Sequence, residues 1–431
     1  MKSRFGIVWT KLQAGSLQFV LFIGAVIAVL LLTFVLLAHS HFLFATKTDK
    51  YVELVKHTDR AIQLSLMDSQ KNTSNGIQMP EDDGITTTIE EKDWGIYKII
   101  SATSTFQKKN FKKIVLTGNK LLDPESVLFL KDNNRPMVIA GKSKIIGDAY
   151  LPKQGIRMGN IGGQSFYGTT PIQGKQHLSI SNIPEMNSTN RNAIQQLLLM
   201  GSGVSNSQGL STSLQQLEIT NSFFEPTRTI DADVLDLSGK KISGNVVIRS
   251  SYQIRINASS QLKDVILVAP KIIIGDGVVG NFQAIASKEI QVGRNCNLKY
   301  PTALVILQKS NTTPKKNSNY ASQPPINIES NSFVHGSLCY LNSDNEQVYH
   351  PQIRIAETAI VVGQVYCQKN LELKGKVLGN VTTSGFVALE NGNVYQNHLF
   401  NGSMDVSMLP LEYVGMSFGN EAKKGVAKCL Y

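Results

Sequence analysis

An uncharged apolar segment near the start of the chain constrains the protein more than any other feature. Residues Phe19 to Ala38 contain neither a charged residue nor a proline. About twenty such residues form a helix that crosses the hydrocarbon core of a bilayer and satisfies its own backbone hydrogen bonds there. No small-residue cleavage site of the A-x-A type follows, and the run exceeds the apolar core of a signal peptide. We therefore expect a retained membrane anchor, which argues against a freely diffusing enzyme.

The anchor defines the first part of the domain organisation. Residues 1–15 are interpreted as a short cytoplasmic segment and residues 16–39 as the transmembrane helix. Lys2, Arg4 and Lys11 precede the span, and Lys47, Lys50 and Lys56 follow it within about twenty residues, so the charge bias is small. The short, largely polar leading segment favours a small inside segment with the bulk of the chain outside. We expect a single-pass protein of the bacterial inner membrane, with its C-terminal bulk in the periplasm or at the cell surface. The predicted anchor residues are Phe19, Val20, Leu21, Phe22, Leu30, Leu31, Leu32 and Phe34.

A helical pattern continues beyond the anchor. Apolar residues recur along residues 40–70 with the spacing of one broad helical stripe, which predicts an amphipathic stalk. One helix over residues 16–67 would be about 75 Å long. Its outer half should pack on a folded domain or on neighbouring copies. The residues of the stripe are Tyr51, Leu54, Val55, Ala61, Ile62 and Leu66.

The start of this helix resembles type IV pilins and type II secretion pseudopilins. The segment Lys11–Phe19 is similar to their basic leader, glycine and apolar start, with Gly15 as the corresponding glycine. The resemblance implies cleavage after Gly15 and packing of the helix against similar helices. Such proteins usually carry Glu five residues after the glycine, where this chain has Val20. An ordinary signal anchor with a helical stalk is the alternative interpretation.

Residues 71–125 are predicted to form a small α+β neck. Asp93–Ile100 and Phe111–Leu116 alternate between apolar and polar residues as strands do. The polar link Thr105–Asn110 between them fits a hairpin. Trp94, Tyr97 and Phe111 are expected in the core of this neck.

The rest of the chain repeats a short pattern of an aliphatic residue, glycine, any residue and a small or aliphatic residue. In addition, Val268–Ile273 matches Ile285–Ile290, about 17 residues further on. Short aliphatic strands punctuated in this way are typical of a parallel β-solenoid, whose stacked coils share one core. We therefore predict a mainly β protein, with a β-solenoid head on the transmembrane helix and stalk; a β-sandwich is the alternative fold. Val365 and Val381, each two residues after a repeated glycine, are predicted to point inward in one aliphatic ladder. The glycines predicted at solenoid corners are Gly147, Gly244, Gly336, Gly363 and Gly379.

The predicted head has four parts. Residues 126–183 form first coils, 184–230 an insertion with a short helix over Asn192–Met200, 231–400 further coils, and 401–431 a C-terminal tail. The short helix is expected to be capped by Thr189 or Asn190 and to end at Gly201. A basic loop over 309–325 is expected to be exposed. The repeats of residues 330–390 resemble those of bactofilins, polymer-forming β-helix proteins, and this resemblance extends loosely to 240–300.

Sequence motifs for chemistry are few. Gly275–Gly280 matches a dinucleotide-binding pattern, but a strand-like turn follows where that pattern requires a helix. The net charge of +11 is spread thinly, so no nucleic-acid partner is expected. No catalytic residue, metal ligand or cofactor is predicted. The cysteines lack metal-ligand spacing and are expected to be free and buried, with Cys339 and Cys367 on opposite faces; the four are Cys296, Cys339, Cys367 and Cys429.

These features predict a structural role. We expect a membrane-anchored assembly protein of the envelope, a component of a pilus-like or type II secretion-like machine that acts through contacts of its head with other proteins or with itself. The alternative is a β-helix protein that binds or cleaves polysaccharide, for which the acid-poor coils give no paired-carboxylate signal.

Overall fold

The chain folds into one long helix, a small antiparallel sheet and a large parallel sheet. The computed structural model describes residues 14–67, 77–78, 84–121, 123–202, 217–308, 323–342, 344, 348–416, 418 and 423–430. The prediction of a mainly β protein with a long apolar N-terminal helix is confirmed. Most of the predicted cytoplasmic segment and residues 309–322 of the predicted basic loop lie outside the described residues.

Helix α1 runs without a break from Ala14 to Met67, a span of 54 residues. At 1.5 Å per residue it is about 81 Å long. Its threonines do not interrupt it, because their hydroxyls donate to carbonyls one turn back, as Thr46 Oγ1 does to Phe42 O at 2.9 Å. Anchor and stalk are therefore one continuous element.

The neck sheet is antiparallel and has five strands in the order β1-β2-β3-β4-β28. The predicted strand Asp93–Ile100 was wrong, because Gly95, with φ 67°, turns the chain between β2 and β3. The predicted C-terminal tail was also wrong for its last part, since β28 pairs with β4. The strands are β1 (Ile77–Gln78), β2 (Thr86–Trp94), β3 (Tyr97–Phe106), β4 (Lys109–Asn119) and β28 (Lys424–Cys429).

The head is the part of the chain inserted between β4 and β28. Its helix α2 covers Ser188–Ser202. Its strands are β5 (Ser126–Leu130), β6 (Met137–Ala140), β7 (Lys144–Ile146), β8 (Asp148–Leu151), β9 (Ile156–Met158), β10 (Asn160–Ile161), β11 (Gln164–Ser165), β12 (Gln176–Leu178), β13 (Glu218–Asn221), β14 (Arg228–Asp236), β15 (Lys241–Gly244), β16 (Val246–Ile256), β17 (Gln261–Ile274), β18 (Val279–Val292), β19 (Asn297–Gln308), β20 (Ile326–Ile328), β21 (Phe333–Asn342), β22 (Ile353–Ile355), β23 (Ile360–Leu373), β24 (Lys376–Glu390), β25 (Asn393–Gln396), β26 (His398–Phe400) and β27 (Ser403–Asp405).

Parallel pairing builds the head. Strands β14, β16, β17, β18, β19, β21, β23 and β24 follow one another in a single ladder. The ladder then leaves sequence order, because the next strand after β24 is β5, where Val381 is opposite Leu128. Likewise β27 pairs with β7, opposing Met404 to Ile145. The first strands of the head thus stack beyond its last ones. Separately, six strands pair in a closed parallel ring, in the order β18, β19, β21, β23, β22 and β20.

One column of aliphatic side chains runs along this ladder, and all of its side chains lie in the core. Its members are opposite one another from strand to strand, and each is buried with at most 1% of its surface exposed. Val365 and Val381 are neighbours in it, as predicted from the glycine repeat. The column consists of Ile230, Ile248, Leu267, Ala284, Leu304, Leu338, Val365, Val381, Leu128 and Ala149.

The opposite face of the same strands is also buried. Val268, Ile285, Val305 and Cys339 pack with Trp94 and other neck residues in a second apolar cluster. Helix α2 joins this cluster through Ile194 and Leu198. Strands covered on both faces are apolar at successive positions, which explains the unbroken apolar runs near residues 265 and 304.

Helix α2 begins earlier than predicted. The sequence pattern suggested Asn192–Met200 with Thr189 or Asn190 as the cap. The Asn187 side chain instead accepts the Thr189 N–H at 2.9 Å, so the first turn starts at Ser188. Asn190 is used elsewhere, since its Nδ2 donates to the Ile96 carbonyl of the neck at 3.1 Å.

The buried column predicts that the same substitution, valine to aspartate, lowers the free energy of unfolding by very different amounts at two positions. Val365→Asp places a carboxylate among buried aliphatic side chains and should lower the free energy of unfolding by several kcal/mol. Val234→Asp is the matched control, because Val234 is 61% exposed on β14, and it should cost about 0.5 kcal/mol or less. Urea unfolding of the detergent-purified chain, followed by circular dichroism, compares the two. Equal midpoints would contradict the assigned column.

Candidate functional site

The first candidate site is the N-terminal half of α1, which lies clear of the rest of the protein. The eight predicted anchor residues, Phe19 to Phe22, Leu30 to Leu32 and Phe34, are 58–69% exposed. The helix is long and apolar enough to cross a membrane. Apolar surface of this extent is unfavourable in water by about 25 cal/mol for each Å², so lipid or other apolar helices must cover it.

Exposed apolar side chains continue past the predicted end of the span. Phe42 and Phe44 are 68% and 72% exposed. From Phe19 to Phe44 the helix rises about 39 Å, whereas the bilayer core is about 30 Å thick. The apolar surface of α1 is thus longer than an upright helix needs for lipid alone.

The C-terminal half of α1 packs on one face of the neck sheet. Ala61 and Ile62 meet Ile100 and Val115 in a closed apolar cluster. A chain of hydroxyl groups supports it, since Ser104 Oγ is 2.8 Å from Thr58 Oγ1 and 2.9 Å from Thr87 Oγ1. Of the predicted stripe, Leu54, Ala61 and Ile62 are buried; Val55 and Leu66 are partly buried, and Tyr51 remains exposed.

Polar contacts fix the C-terminal half of α1 to strands β2 and β4 of the neck, and fix β2 to the last strand, β28. Glu91 Oε1 on β2 accepts from Ser65 of α1 at 3.0 Å and from Lys424 of β28 at 2.8 Å. Lys113 Nζ on β4 is 2.7 Å from Asp59 Oδ1 of α1. These contacts link the helix, an early strand and the last strand, so the neck closes only when the C-terminus has returned.

The other face of the neck sheet attaches to the head through buried amides. Gln283 on β18 accepts the Ile96 N–H at 2.9 Å and donates to the Trp94 carbonyl at 2.8 Å. It thereby provides hydrogen-bond partners for two backbone groups at the tight turn between β2 and β3, the Trp94 carbonyl and the Ile96 N–H. A Cβ on Gly95 would lie 2.0 Å from Gln283 Oε1, so glycine is required there for packing as well as for its positive φ.

A second attachment lies two and three strands further along the ladder, at β21 and β23. Tyr413 is buried; its hydroxyl donates to Gly336 O at 2.9 Å and accepts from the Gln364 N–H at 3.1 Å. Burial raises the pKa of Tyr413 to about 12. Gln364 Oε1 in turn accepts the Met416 N–H at 2.8 Å.

Gln283 and Gln364 occupy one column of the ladder. The register places Gln283 opposite Ala303, Ala303 opposite Ser337, and Ser337 opposite Gln364. Ser337 Oγ is 3.0 Å from the Tyr413 hydroxyl. A column of polar side chains with specific partners therefore crosses an otherwise apolar face and sets where the neck docks. The isolated glutamines gave no sequence signal for this role.

The predicted corner glycines lie at close contacts between neighbouring strands. All five have positive φ, from 90° at Gly244 to 153° at Gly336 and Gly379. Gly336, Gly363 and Gly379 are opposite one another in the ladder. A Cβ on Gly363 would lie 1.9 Å from the carbonyl oxygen of Gly336, and one on Gly379 2.0 Å from that of Gly363. Only glycine allows this stacking.

The dinucleotide-like motif is a turn between two strands. Strand β17 ends at Ile274 and β18 begins at Val279, so no helix N-terminus follows Gly275–Gly280. The Asp276 carboxylate instead accepts the Arg294 N–H of the next turn at 2.8 Å. The motif therefore stacks one turn on the next.

Three of the four cysteines are buried as predicted, and Cys429 near the C-terminus is exposed. Cys339 lies in the outer apolar cluster and Cys367 in the inner one, on opposite faces of the parallel sheet. Burial raises the pKa of both thiols, that of Cys367 to about 12, so they are poor nucleophiles near neutral pH. Cys296 is buried too, but Cys429 is exposed, which corrects the prediction for that residue.

No known protein family matches the sequence, and no curated protein or solved structure gives a match. Within the described part of the chain, no three His, Cys, Asp or Glu side chains are grouped to hold a metal ion. The candidate site therefore rests on the geometry of α1, the neck and the head.

The neck attachment is tested at Gln283. Gln283→Leu removes the side-chain partner of the buried Ile96 N–H and the hydrogen bond to the Trp94 carbonyl, and should lower the free energy of unfolding by about 2–4 kcal/mol. Gln261→Leu makes the same change at an exposed position one strand earlier and should be nearly neutral. Thermal melts measure stability, and proteolysis at the β2–β3 turn reports neck detachment. Indistinguishable variants would show that the amide does not hold the neck.

Proposed function

We propose that the protein is a membrane-anchored structural component of a bacterial envelope that assembles through contacts with other proteins. The exposed, apolar half of α1, continuous with a half that is packed into a folded neck, is the observation that carries this proposal. Such a helix has one part available to lipid and to other helices and one part that holds a large head at a fixed position.

The resemblance of one sequence segment to pilins and pseudopilins indicates the kind of assembly in which this component would act. The segment Lys11–Phe19 resembles their processing site, and α1 has the exposed-then-packed character which that resemblance implies. The neck, an antiparallel sheet on the amphipathic half of α1, supplies the domain on which the helix is expected to pack. We therefore place the chain in a pilus-like or type II secretion-like machine.

We further propose that the head is a three-sided parallel β-solenoid. Strand β17 pairs with β18 in three stretches separated by register shifts: Leu262–Lys263, Val265–Ala269 and Lys271–Ile274. Each shift fits a corner between two faces. The single inward column and the stacked glycines support coils that lie directly above one another.

The location follows from charge and topology. Lys2, Arg4 and Lys11 precede α1, and the neck and head follow it. Under the positive-inside rule the short leading segment is cytoplasmic. The head then lies in the periplasm or at the cell surface of a bacterium with α1 in the inner membrane.

Photo-crosslinking in whole cells tests this role. A photoreactive amino acid replaces Phe44 on the exposed part of α1, and Tyr252 on the head, 67% exposed, is the control position. We expect adducts from position 44 that mass spectrometry identifies as a second copy or as another helix-anchored envelope protein. We expect no such adduct from position 252.

Two further readouts separate the parts of this proposal. Carbonate-washed membranes should retain the protein, and its release would contradict the anchor. An intact mass that begins at Ser16 would support the pilin-like form, whereas a retained Met1 would leave an ordinary signal anchor. Adducts to lipid alone from position 44 would contradict assembly through α1.

A further inference from the structure

A polar cleft of about 790 Å³ opens on the head. Its walls come from the turns within β23 and β24, the loop after β5, the loop before α2 and the turn between β25 and β26. Strands β23, β24 and β5 are neighbours in the ladder, about 4.8 Å apart. The cleft therefore runs across stacked strands that are distant in sequence.

Amide side chains dominate its lining. Each amide offers both a donor and an acceptor, which suits a ligand rich in hydroxyl groups. Several are held in place: Gln368 Oε1 accepts the Asn342 N–H at 2.7 Å, and Gln396 Oε1 accepts from Arg135 at 3.1 Å. The amide side chains of the described lining are Asn133, Asn182, Asn342, Gln368, Asn370, Gln396 and Asn397.

The charge of the lining is unbalanced. Among the described lining residues, the cations Lys131, Arg135, Arg191 and Lys369 outnumber the carboxylates Glu185 and Asp344. Lys131 and Arg135 lie on the same loop after β5, and Arg135 is exposed. A guanidinium and an ammonium on one loop favour a ligand that carries carboxylates.

We propose that this cleft binds an acidic oligosaccharide, with the amides receiving its hydroxyl groups and Lys131 and Arg135 its carboxylates. Single-stranded nucleic acid binds through exposed aromatic side chains. The aromatic side chain among the described lining residues, Phe386, is 1% exposed and cannot stack on a base. Acidic peptides are recognised by clusters of arginine, whereas amide side chains are the most numerous group in the described lining. The inference does not depend on the assembly role.

Calorimetry with the detergent-purified full chain tests the proposal. The probes are a trimer of galacturonic acid, the neutral trimer of galactose, and triglutamate as a peptide of equal charge. We expect the uronate trimer to bind about tenfold or more tightly than either of the others, and more weakly as salt rises.

Charge-removing variants assign the binding to the cleft. Lys131→Gln combined with Arg135→Gln should weaken binding of the uronate trimer about tenfold or more. Lys142→Gln combined with Lys144→Gln removes the same charge at exposed positions outside the cleft and should leave the affinity unchanged. Unaltered melting temperatures verify that both variants fold.

Three results would overturn the proposal. They are failure of the folded chain to bind the uronate trimer, equal binding of triglutamate or the neutral trimer, and equal loss of affinity in the two double variants. None of these outcomes bears on carbonate extraction or on crosslinking from α1, so the two proposals fail independently.

Discussion

The stacking of aliphatic side chains along the parallel ladder is the interaction on which the rest of the structure depends. No single strand of the head buries its inward side chains alone, whereas a column from Ile230 to Ala149 buries each between two others. Gly363 and Gly379 keep the neighbouring backbones close enough for that contact. Because Leu128 joins the column beside Val381, the first part of the head is required to complete the last.

The insertion of the head between β4 and β28 determines how the head is carried, because both of its connections enter the same neck sheet. Gln283 and Gln364 then fix that sheet on the outer face of the ladder, and Glu91 fixes it to α1. A force on α1 therefore reaches the head through packed elements rather than a flexible linker.

Local patterns in the sequence predicted the parts of the fold that depend on local physics. The apolar run, the helical stripe and the repeated glycines predicted α1, its packed half and the inward positions of Val365 and Val381. The partner of β24 could not be predicted, because parallel pairing between β5 and β24 leaves no periodic signal across so long a separation. Nor could the neck attachment or the cleft, since Gln283, Gln368 and Arg135 acquire their roles only when distant turns meet.

Disulfide trapping across the out-of-sequence junction tests the central claim most directly. Phe129 on β5 is opposite Thr382 on β24 in the ladder. The column of opposed residues that contains this pair ends at His177 on β12 and at Asp231 on β14, which are therefore its two most distant members. With Cys429 replaced by serine, Phe129→Cys with Thr382→Cys should form a disulfide on mild oxidation, seen as faster migration on a non-reducing gel. His177→Cys with Asp231→Cys should remain reduced. The opposite pattern would mean that the strands stack in sequence order, and would contradict the pairing of β5 with β24.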